Sequence, residues 1–196
     1  MRDSARSAAT TERDGARRPP PDRTPTLKGG DELRTNAIDK KSWQVLERLL
    51  TVENALCVEV MLRSGLRVSD VLSIRTEQLR GTCFTVEESK TGKRKTVRLP
   101  RALLERLRGI AGEVYVWEHA KDRTRHRTRQ AVWADIKRAA KAMRIKLVVA
   151  PHSARKSYAC ELYRRTGDVE AVRQRLSHDR LEVTVLYLLD EFNKRL

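Results

Sequence analysis

Cysteine is scarce in this sequence and is never paired. Cys57, Cys83 and Cys160 are three residues among 196, widely spaced and outside any Cys-x-x-Cys motif. An odd, unpaired set argues against a disulfide framework and against a thiolate metal site. We expect reduced cysteines, mostly buried, and neither a bound metal ion nor another cofactor.

Long apolar runs are missing as well. No stretch approaches the roughly 20 apolar residues that cross a bilayer, and residues 1 to 30 lack the apolar core of a secretory signal. We therefore expect a soluble cytoplasmic protein without a membrane partner.

Negative charge is in the minority. The 42 Lys and Arg residues outnumber the 26 Asp and Glu residues, which gives a formal net charge of +16. Such an excess favours an extended polyanion over a small neutral substrate. The charge by itself leaves DNA, RNA and anionic lipid open as partners.

The chain is long enough for one packed domain and a tail. Residues 1 to 36 are rich in Arg, Ser, Thr, Pro and Gly, include the run Arg17-Arg18-Pro19-Pro20-Pro21, and show no apolar periodicity. That composition predicts a flexible basic N-terminal arm, followed by a single domain over residues 37 to 196.

The periodicity of that domain is mainly helical. Asp39 is a suitable N-cap for a first helix, Pro151 is placed to begin a later one, and Gly65 and Gly167 are placed to end helices. A basic helix is predicted over residues 129 to 143. The first helix has an apolar face formed by Trp43, Val45, Leu46, Leu49 and Leu50.

Strand signals are confined to one place. Residues 82 to 87 and 95 to 99 alternate between apolar and polar types around the turn Lys90-Thr91-Gly92-Lys93. The fold class is therefore predicted as α+β, mainly helical, with one small antiparallel sheet. Trp117 and Trp133 are predicted to lie in the core.

Three separated segments contain the residues whose side chains could take part in catalysis. They are Gly65-Leu66-Arg67-Val68-Ser69-Asp70, then His152-Ser153-Ala154-Arg155, then Leu176-Ser177-His178 with Tyr187 nine positions after the histidine. Taken singly, each has an ordinary explanation, such as a solvated arginine or a packed core tyrosine. Those explanations would have to hold in all three segments at once.

In their order and spacing these segments resemble the tyrosine recombinase, or phage integrase, family. Its members have a Gly-Leu-Arg-x-Ser-Glu/Asp box, a His-x-x-Arg box, and a Leu-Gly-His box followed by the nucleophilic tyrosine. The resemblance covers about residues 38 to 190 and implies the family's catalytic-domain fold. Two departures are Ser177, where glycine is usual, and Lys156, where a histidine is often found.

The resemblance implies a site-specific DNA recombinase that cleaves and rejoins strands through a 3′-phosphotyrosyl intermediate. Tyr187 matches the nucleophile that attacks the phosphodiester. Arg67 and Arg155 match the two arginines that clamp the phosphate, a role suited to planar, permanently charged guanidinium groups.

Four further residues match supporting positions of the family. His152 and His178 match groups that donate hydrogen bonds to the phosphate and assist proton transfer. Lys90, in the predicted turn, matches the lysine that protonates the leaving 5′-oxygen. Asp70 matches the acidic residue that supports the first arginine.

Other basic residues are predicted to hold DNA phosphates without reading sequence. They are Lys93, Arg94, Lys95, Arg123, Arg125, Arg127, Lys137, Arg138 and Lys156. Tyr115, Tyr158 and Tyr163 are rival tyrosines, but none has the spacing from His178 that Tyr187 has. His119 and His126 are predicted to be surface residues.

Two other functions remain open from the sequence. A type IB topoisomerase uses the same residue set to nick and close DNA, and a regulator could keep the fold and bind DNA without cutting it. The layout is similar to that of the short fimbrial-switch invertases. The expected partners are double-stranded DNA and further copies of the chain, as a dimer or tetramer, with no small-molecule substrate.

Overall fold

The computed structural model describes the backbone of residues 35 to 193 and the side chains of residues 35 to 189. Within this range the helices are α1 (Lys40–Leu49), α2 (Val52–Ser64), α3 (Val68–Leu72), α4 (Arg101–Ile110), α5 (Arg129–Ala142), α6 (Pro151–Thr166), α7 (Val169–Arg175) and α8 (Leu181–Asn193). The strands are β1 (Cys83–Glu87), β2 (Arg94–Arg98), β3 (Glu118–His119) and β4 (Asp122–His126). The chain is thus mainly helical, and the predicted fold class is confirmed.

Most of the predicted N-terminal arm lies outside the described residues. At its end, Thr35 is already buried. The amide of Asn36 donates to the carbonyl of Val148 over 3.0 Å, and its side-chain oxygen accepts from the Val148 amide. These two residues are part of the packed domain, and the boundary of the arm stays a prediction.

The helix ends follow the local chemistry of their residues. Asp39 caps α1 by accepting a hydrogen bond from the Ser42 amide over 3.0 Å. Gly65 ends α2 and Gly167 ends α6, both in the left-handed backbone region with φ of 68° and 67°. The predicted helix boundaries at these residues are confirmed.

Two apolar clusters form the interior. The larger one surrounds α2, which is buried on most of its circumference, and includes residues of α1, α4, α5 and the β1–β2 hairpin. The smaller one lies between α6, α7 and α8. Because α6 also packs along α2, the two clusters are joined where the first and second sequence boxes meet.

The sheet structure differs from the prediction of a single hairpin. β1 and β2 pair antiparallel, from Cys83 opposite Arg98 to Glu87 opposite Arg94, as expected. A second antiparallel pair, β3 with β4, lies in a segment for which no strand was predicted. The prediction of a single hairpin was wrong because β4 is polar throughout and exposed or half-buried, so it has no apolar alternation to reveal it.

Single aromatic and apolar positions also depart from expectation. Trp117 is buried and donates from Nε1 to the Glu53 carbonyl, as predicted for a core residue. Trp133 is 36% exposed, because the inward face of α5 is formed by its neighbours and leaves this ring at the edge, 4.6 Å from the Lys137 ammonium. On α1, Val45 and Leu49 are exposed, whereas the rest of the predicted face is buried or half-buried.

The three cysteines are free thiols. Cys57 and Cys160 are buried, whereas Cys83 is exposed. Among the described helices, none has the combination of length and apolar character that crossing a bilayer requires.

Candidate active site

One buried guanidinium connects all three sequence boxes. Arg155, on the first half of α6, is fully buried. Its Nη1 donates to the Gly65 carbonyl in the first box, and its Nη2 donates to the Leu176 carbonyl in the third. The Arg155 guanidinium therefore joins three segments that are distant in the sequence through its hydrogen bonds.

Tyr187 lies near the Arg155 guanidinium, among imidazoles and a lysine. Its hydroxyl forms a hydrogen bond with Nε2 of His152. The rings of His152 and His178 meet the tyrosine ring edge to face, with centroids 5.0 and 4.7 Å away. The Lys156 ammonium lies 5.5 Å from the ring centroid. The side chain is only 6% exposed, and its oxygen is hydrogen-bonded to an imidazole within this buried environment.

The two histidines are uncharged at neutral pH. Burial, followed by the charge of Arg155, lowers the pKa of His152 from 6.5 to about 3. The same causes lower the pKa of His178 to about 3. Nδ1 of His178 is 3.0 Å from the Thr184 hydroxyl, which orients the ring. Two neutral imidazoles next to a phenol can accept or relay a proton without adding charge.

Arg67 projects from the N-terminus of α3 and is held by carboxylates. Its Nη1 donates to Oε2 of Glu88 over 3.0 Å and lies 4.0 Å from Oδ2 of Asp70. Asp70 is fully buried, and its other oxygen accepts from the amide and hydroxyl of Ser89 over 3.0 and 2.7 Å. Asp70 thus contacts both the first arginine and the β1–β2 hairpin.

Lys90 is exposed at the tip of that hairpin. The turn is closed by hydrogen bonds from the amides of Thr91 and Gly92 to the Glu88 carbonyl, 3.2 and 2.8 Å long. The charge of Lys90 contributes to lowering the pKa of His178, so the two groups lie within electrostatic reach of each other.

Two lysines that were predicted to contact DNA are turned inward. The Lys95 ammonium donates to the carbonyls of Ser64 and Arg175, both over 2.8 Å. Burial, then the nearby Arg155, lowers its pKa to about 7. Lys156 is 5% exposed and donates to the Thr35 carbonyl over 2.6 Å. Both ammonium groups are bound to interior carbonyls, and their assignment as DNA contacts stays a prediction.

The other predicted phosphate contacts differ in accessibility. Arg127 is half-buried, and its amide is bound to the Trp117 carbonyl. The remainder are exposed: Lys93, Arg94, Arg123, Arg125, Lys137 and Arg138. Lys93, Arg94 and Arg123 pair with exposed carboxylates, whereas Arg138 pairs with the buried Asp135. Exposed ion pairs are weak enough to exchange for a phosphate.

The rival tyrosines have other environments. The Tyr158 hydroxyl accepts from Nε of Arg175 over 3.1 Å. The Tyr115 ring lies 5.5 Å from the His126 ring and 5.8 Å from the Arg75 guanidinium. Within the described side chains, Tyr187 is the tyrosine with two imidazole rings against it.

The remaining histidines are occupied locally. His126 shares a hydrogen bond with the Arg127 carbonyl, and His119 accepts from the Lys121 amide. Over residues 35 to 189, His, Cys, Asp and Glu side chains do not gather in groups of three close enough to hold a metal ion.

Glu88 is the residue of the site that sequence reasoning missed. It is fully buried and pairs with Arg67. A signal for it was present, because Phe84, Val86 and Glu88 alternate on the inward face of the hairpin. A carboxylate that continues a buried period-two pattern requires a partner inside the protein.

Comparison with known proteins places the chain in a family. The model of the phage integrase family matches residues 32–194. A tyrosine recombinase of Thermosipho africanus is 28% identical in an alignment of 137 residues, and the match covers 67% of this chain and 47% of the relative. Tyrosine recombinase XerA of Pyrococcus furiosus is 25% identical over 144 residues, covering 69% of this chain and 50% of the relative.

Solved structures share the fold. The XerH site-specific recombinase, in a post-cleavage complex with palindromic difH substrate, matches 86% of this chain and 53% of its own with a TM-score of 0.65 and 18% identity. A lambda integrase dimer bound to a COC′ core site matches 79% of this chain and 48% of its own, with a TM-score of 0.66 and 18% identity.

The fold is the one found in the solved structures of XerH recombinase and lambda integrase. This chain belongs to the phage integrase family. It spans about half the length of the curated relatives it matches.

Proposed function

We propose that this chain is the catalytic domain of a site-specific DNA recombinase that cleaves and rejoins strands through a 3′-phosphotyrosyl intermediate. The observation that carries the proposal is the hydrogen bond between the Tyr187 hydroxyl and His152, next to the buried guanidinium of Arg155. Membership of the phage integrase family supports it.

In the cleavage step the Tyr187 oxygen attacks the scissile phosphorus. The phenolic proton passes to Nε2 of neutral His152 as the new P–O bond forms. The bond from phosphorus to the 5′-oxygen breaks, and that oxygen takes a proton from Lys90. The products are a 3′-phosphotyrosyl link and a free 5′-hydroxyl, which can attack in the reverse direction.

The cationic groups stabilise the charge that accumulates on the nonbridging oxygens. The described hydrogen bonds of Arg155 run to backbone carbonyls rather than to a carboxylate, so its charge remains available to a phosphate. Nδ1 of His178 is engaged by Thr184, which leaves Nε2 to contact the phosphate. Preorganised donors of this kind contribute on the order of a hundredfold each to the rate.

The proposed partners are double-stranded DNA and further copies of the chain, with the cytoplasm as the compartment. The lambda integrase structures that share the fold include a dimer on a core site and a tetramer on a Holliday junction. Exposed leucines along α8, Leu181, Leu186 and Leu189, offer an apolar contact for a second protomer.

Covalent trapping tests the nucleophile. The protein is incubated with a pool of nicked duplexes of random sequence, and protein–DNA complexes that survive denaturation are collected. We expect adducts with the wild-type protein and with Tyr163→Phe, which removes the hydroxyl of a half-buried tyrosine packed against the same apolar cluster, but none with Tyr187→Phe. Adducts formed equally by Tyr187→Phe would contradict the proposal.

A second strand distinguishes recombination from simple nicking and closing. After trapping, a strand with a free 5′-hydroxyl and a different sequence is added, and joined product is measured. Joining supports the recombinase. Relaxation of supercoiled DNA without joining would indicate a type IB topoisomerase, and binding without adducts would indicate a regulator. Sequencing the attached ends identifies the cleavage site.

A further inference from the structure

A buried carboxylate holds three parts of the site together. Glu88, directly after β1, is fully buried. Its Oε2 accepts from Arg67 over 3.0 Å and from the Thr91 hydroxyl over 2.9 Å. Its Oε1 accepts from the Ser177 hydroxyl over 3.1 Å. The donors come from the first arginine box, the turn that contains Lys90, and the segment just before His178.

The next residue strengthens the same connection. Ser89 donates its amide and hydroxyl to Asp70 of the first box. Two consecutive residues immediately before Lys90 are therefore fixed to the segment that contains Arg67. An exposed hairpin tip with a fixed base moves over a smaller range than a free one.

The charge state of Glu88 agrees with this role. Burial by itself raises the pKa of Glu88, but the hydrogen bonds from Thr91 and Arg67 and the Arg67 charge outweigh it, so the pKa stays below its ordinary value. The group is ionised at neutral pH, and it partly offsets the surrounding cations: it raises the pKa of Lys95 and of His178.

Ser177 has a conformation that its residue type rarely adopts. Its φ is 53°, in the left-handed region that favours glycine, the residue usual at this position of the family. The serine hydroxyl that replaces the glycine hydrogen is the one that binds Glu88. The departure from the family pattern thus supplies one of the three ligands of this carboxylate.

We propose that Glu88 is a positioning residue of the cleavage step, which holds the Arg67 guanidinium in place and ties the Lys90 turn and the His178 segment to it. The inference rests on the proposed function. Glu88 contacts none of the reacting atoms and acts through the groups that do.

The test compares two adjacent glutamates. Glu88→Gln keeps the size of the side chain and removes its charge, and Glu87→Gln makes the same change at an exposed position on β1. On the cleavage site identified by trapping, we expect Glu88→Gln to slow single-turnover adduct formation by about tenfold or more, as loss of a charged positioning contact does. DNA affinity should stay within about twofold, and Glu87→Gln should behave as wild type.

A double-mutant cycle excludes a general loss of folding. Ser177→Gly removes the hydroxyl and relieves the strained backbone, so it keeps the fold even where Glu88→Gln lowers the thermal midpoint. We expect a severalfold slower cleavage for Ser177→Gly alone and no additional loss from it in the Glu88→Gln background.

The outcomes separate the two proposals. If the wild-type protein forms no adduct on any duplex, the proposed function fails. If the wild type cleaves and Glu88→Gln cleaves as fast or faster, only the positioning role fails, since Glu88 would then compete with the phosphate for Arg67. Fully additive effects of Glu88→Gln and Ser177→Gly on the cleavage rate would also overturn the positioning role.

Discussion

The candidate site brings several cationic side chains into an interior with few anions. Arg155 and Lys156 are buried beside Tyr187, the half-buried Lys95 lies within electrostatic reach of Arg155, and the neighbouring carboxylates are Glu88 and Asp70. Burial and the surrounding positive charge both disfavour a further proton, which is why the pKa values of the two histidines fall to about 3. A phosphate would bring the negative charge that this site lacks.

The histidines predict how stability depends on pH. In the unfolded chain each has a pKa near 6.5, and in the folded protein near 3. Between these values the unfolded state binds more protons, so the free energy of unfolding falls as the pH is lowered from 6.5 towards 3. The loss approaches about 1.4 kcal/mol per pH unit for one histidine as an upper limit. Urea unfolding at pH 7 and pH 5 measures it.

Variants isolate the contribution of one imidazole. His152→Gln should lose less stability between pH 7 and pH 5 than the wild type, because it has no group to protonate in that window. His119→Gln, which changes a histidine near the surface of β3, should keep the wild-type pH dependence. Equal pH dependence in all three proteins would contradict the assignment of a depressed pKa to His152.

At the scale of secondary structure, the end of α2 decides where the first box lies. Gly65 reverses the chain in the left-handed region, and its carbonyl accepts from Arg155. A Cβ at this position would lie 2.5 Å from Cδ1 of the Tyr158 ring. The helix end therefore requires glycine for its backbone and for its close contact with α6.

Alanine substitutions at two helix ends test that statement. Gly167 has the same left-handed φ, but a Cβ there would meet nothing within 4 Å. Gly167→Ala should lower the free energy of unfolding by about 1 kcal/mol, the usual cost of the backbone conformation. Gly65→Ala should lower it by about 1 to 3 kcal/mol more, because Tyr158 must also move. Equal losses in denaturant titrations would show that the contact is unimportant.

At the scale of the whole molecule, some of the basic side chains are buried in the site and others are exposed on the surface. Part of the net charge of +16 belongs to buried groups of the site. The exposed residues Arg123 and Arg125 on β4 remain candidates for phosphate contacts. Their strand pairs with β3, so the hairpin holds both arginines on a defined backbone rather than on an irregular loop.

The salt dependence of DNA binding tests this surface. The logarithm of the association constant should fall steeply with the logarithm of salt concentration, because phosphate contacts release counterions. Arg123→Ala with Arg125→Ala should reduce the slope by about 2. Lys40→Ala with Lys41→Ala, at exposed positions on α1 outside the predicted set, should leave it unchanged. A flat wild-type response, or an unchanged slope in the β4 variant, would contradict the prediction.

Local sequence determined the helix ends, the first hairpin and the family boxes. Caps such as Asp39 and Gly65 act within a few residues, and apolar periodicity needs only one turn of helix, so both can be recognised without the fold. The spacing from His178 to Tyr187 lies within one helix and the turn before it, so it is equally local.

Only the tertiary structure decided which charged side chains face inward. Arg155 spans carbonyls of two other boxes, Glu88 joins three segments, and Lys95 and Lys156 bind interior carbonyls instead of lying on the surface. A long basic or acidic side chain has the same local pattern in either place. Its destination depends on polar partners far along the chain, because burial of a charge is tolerated only where such partners meet it.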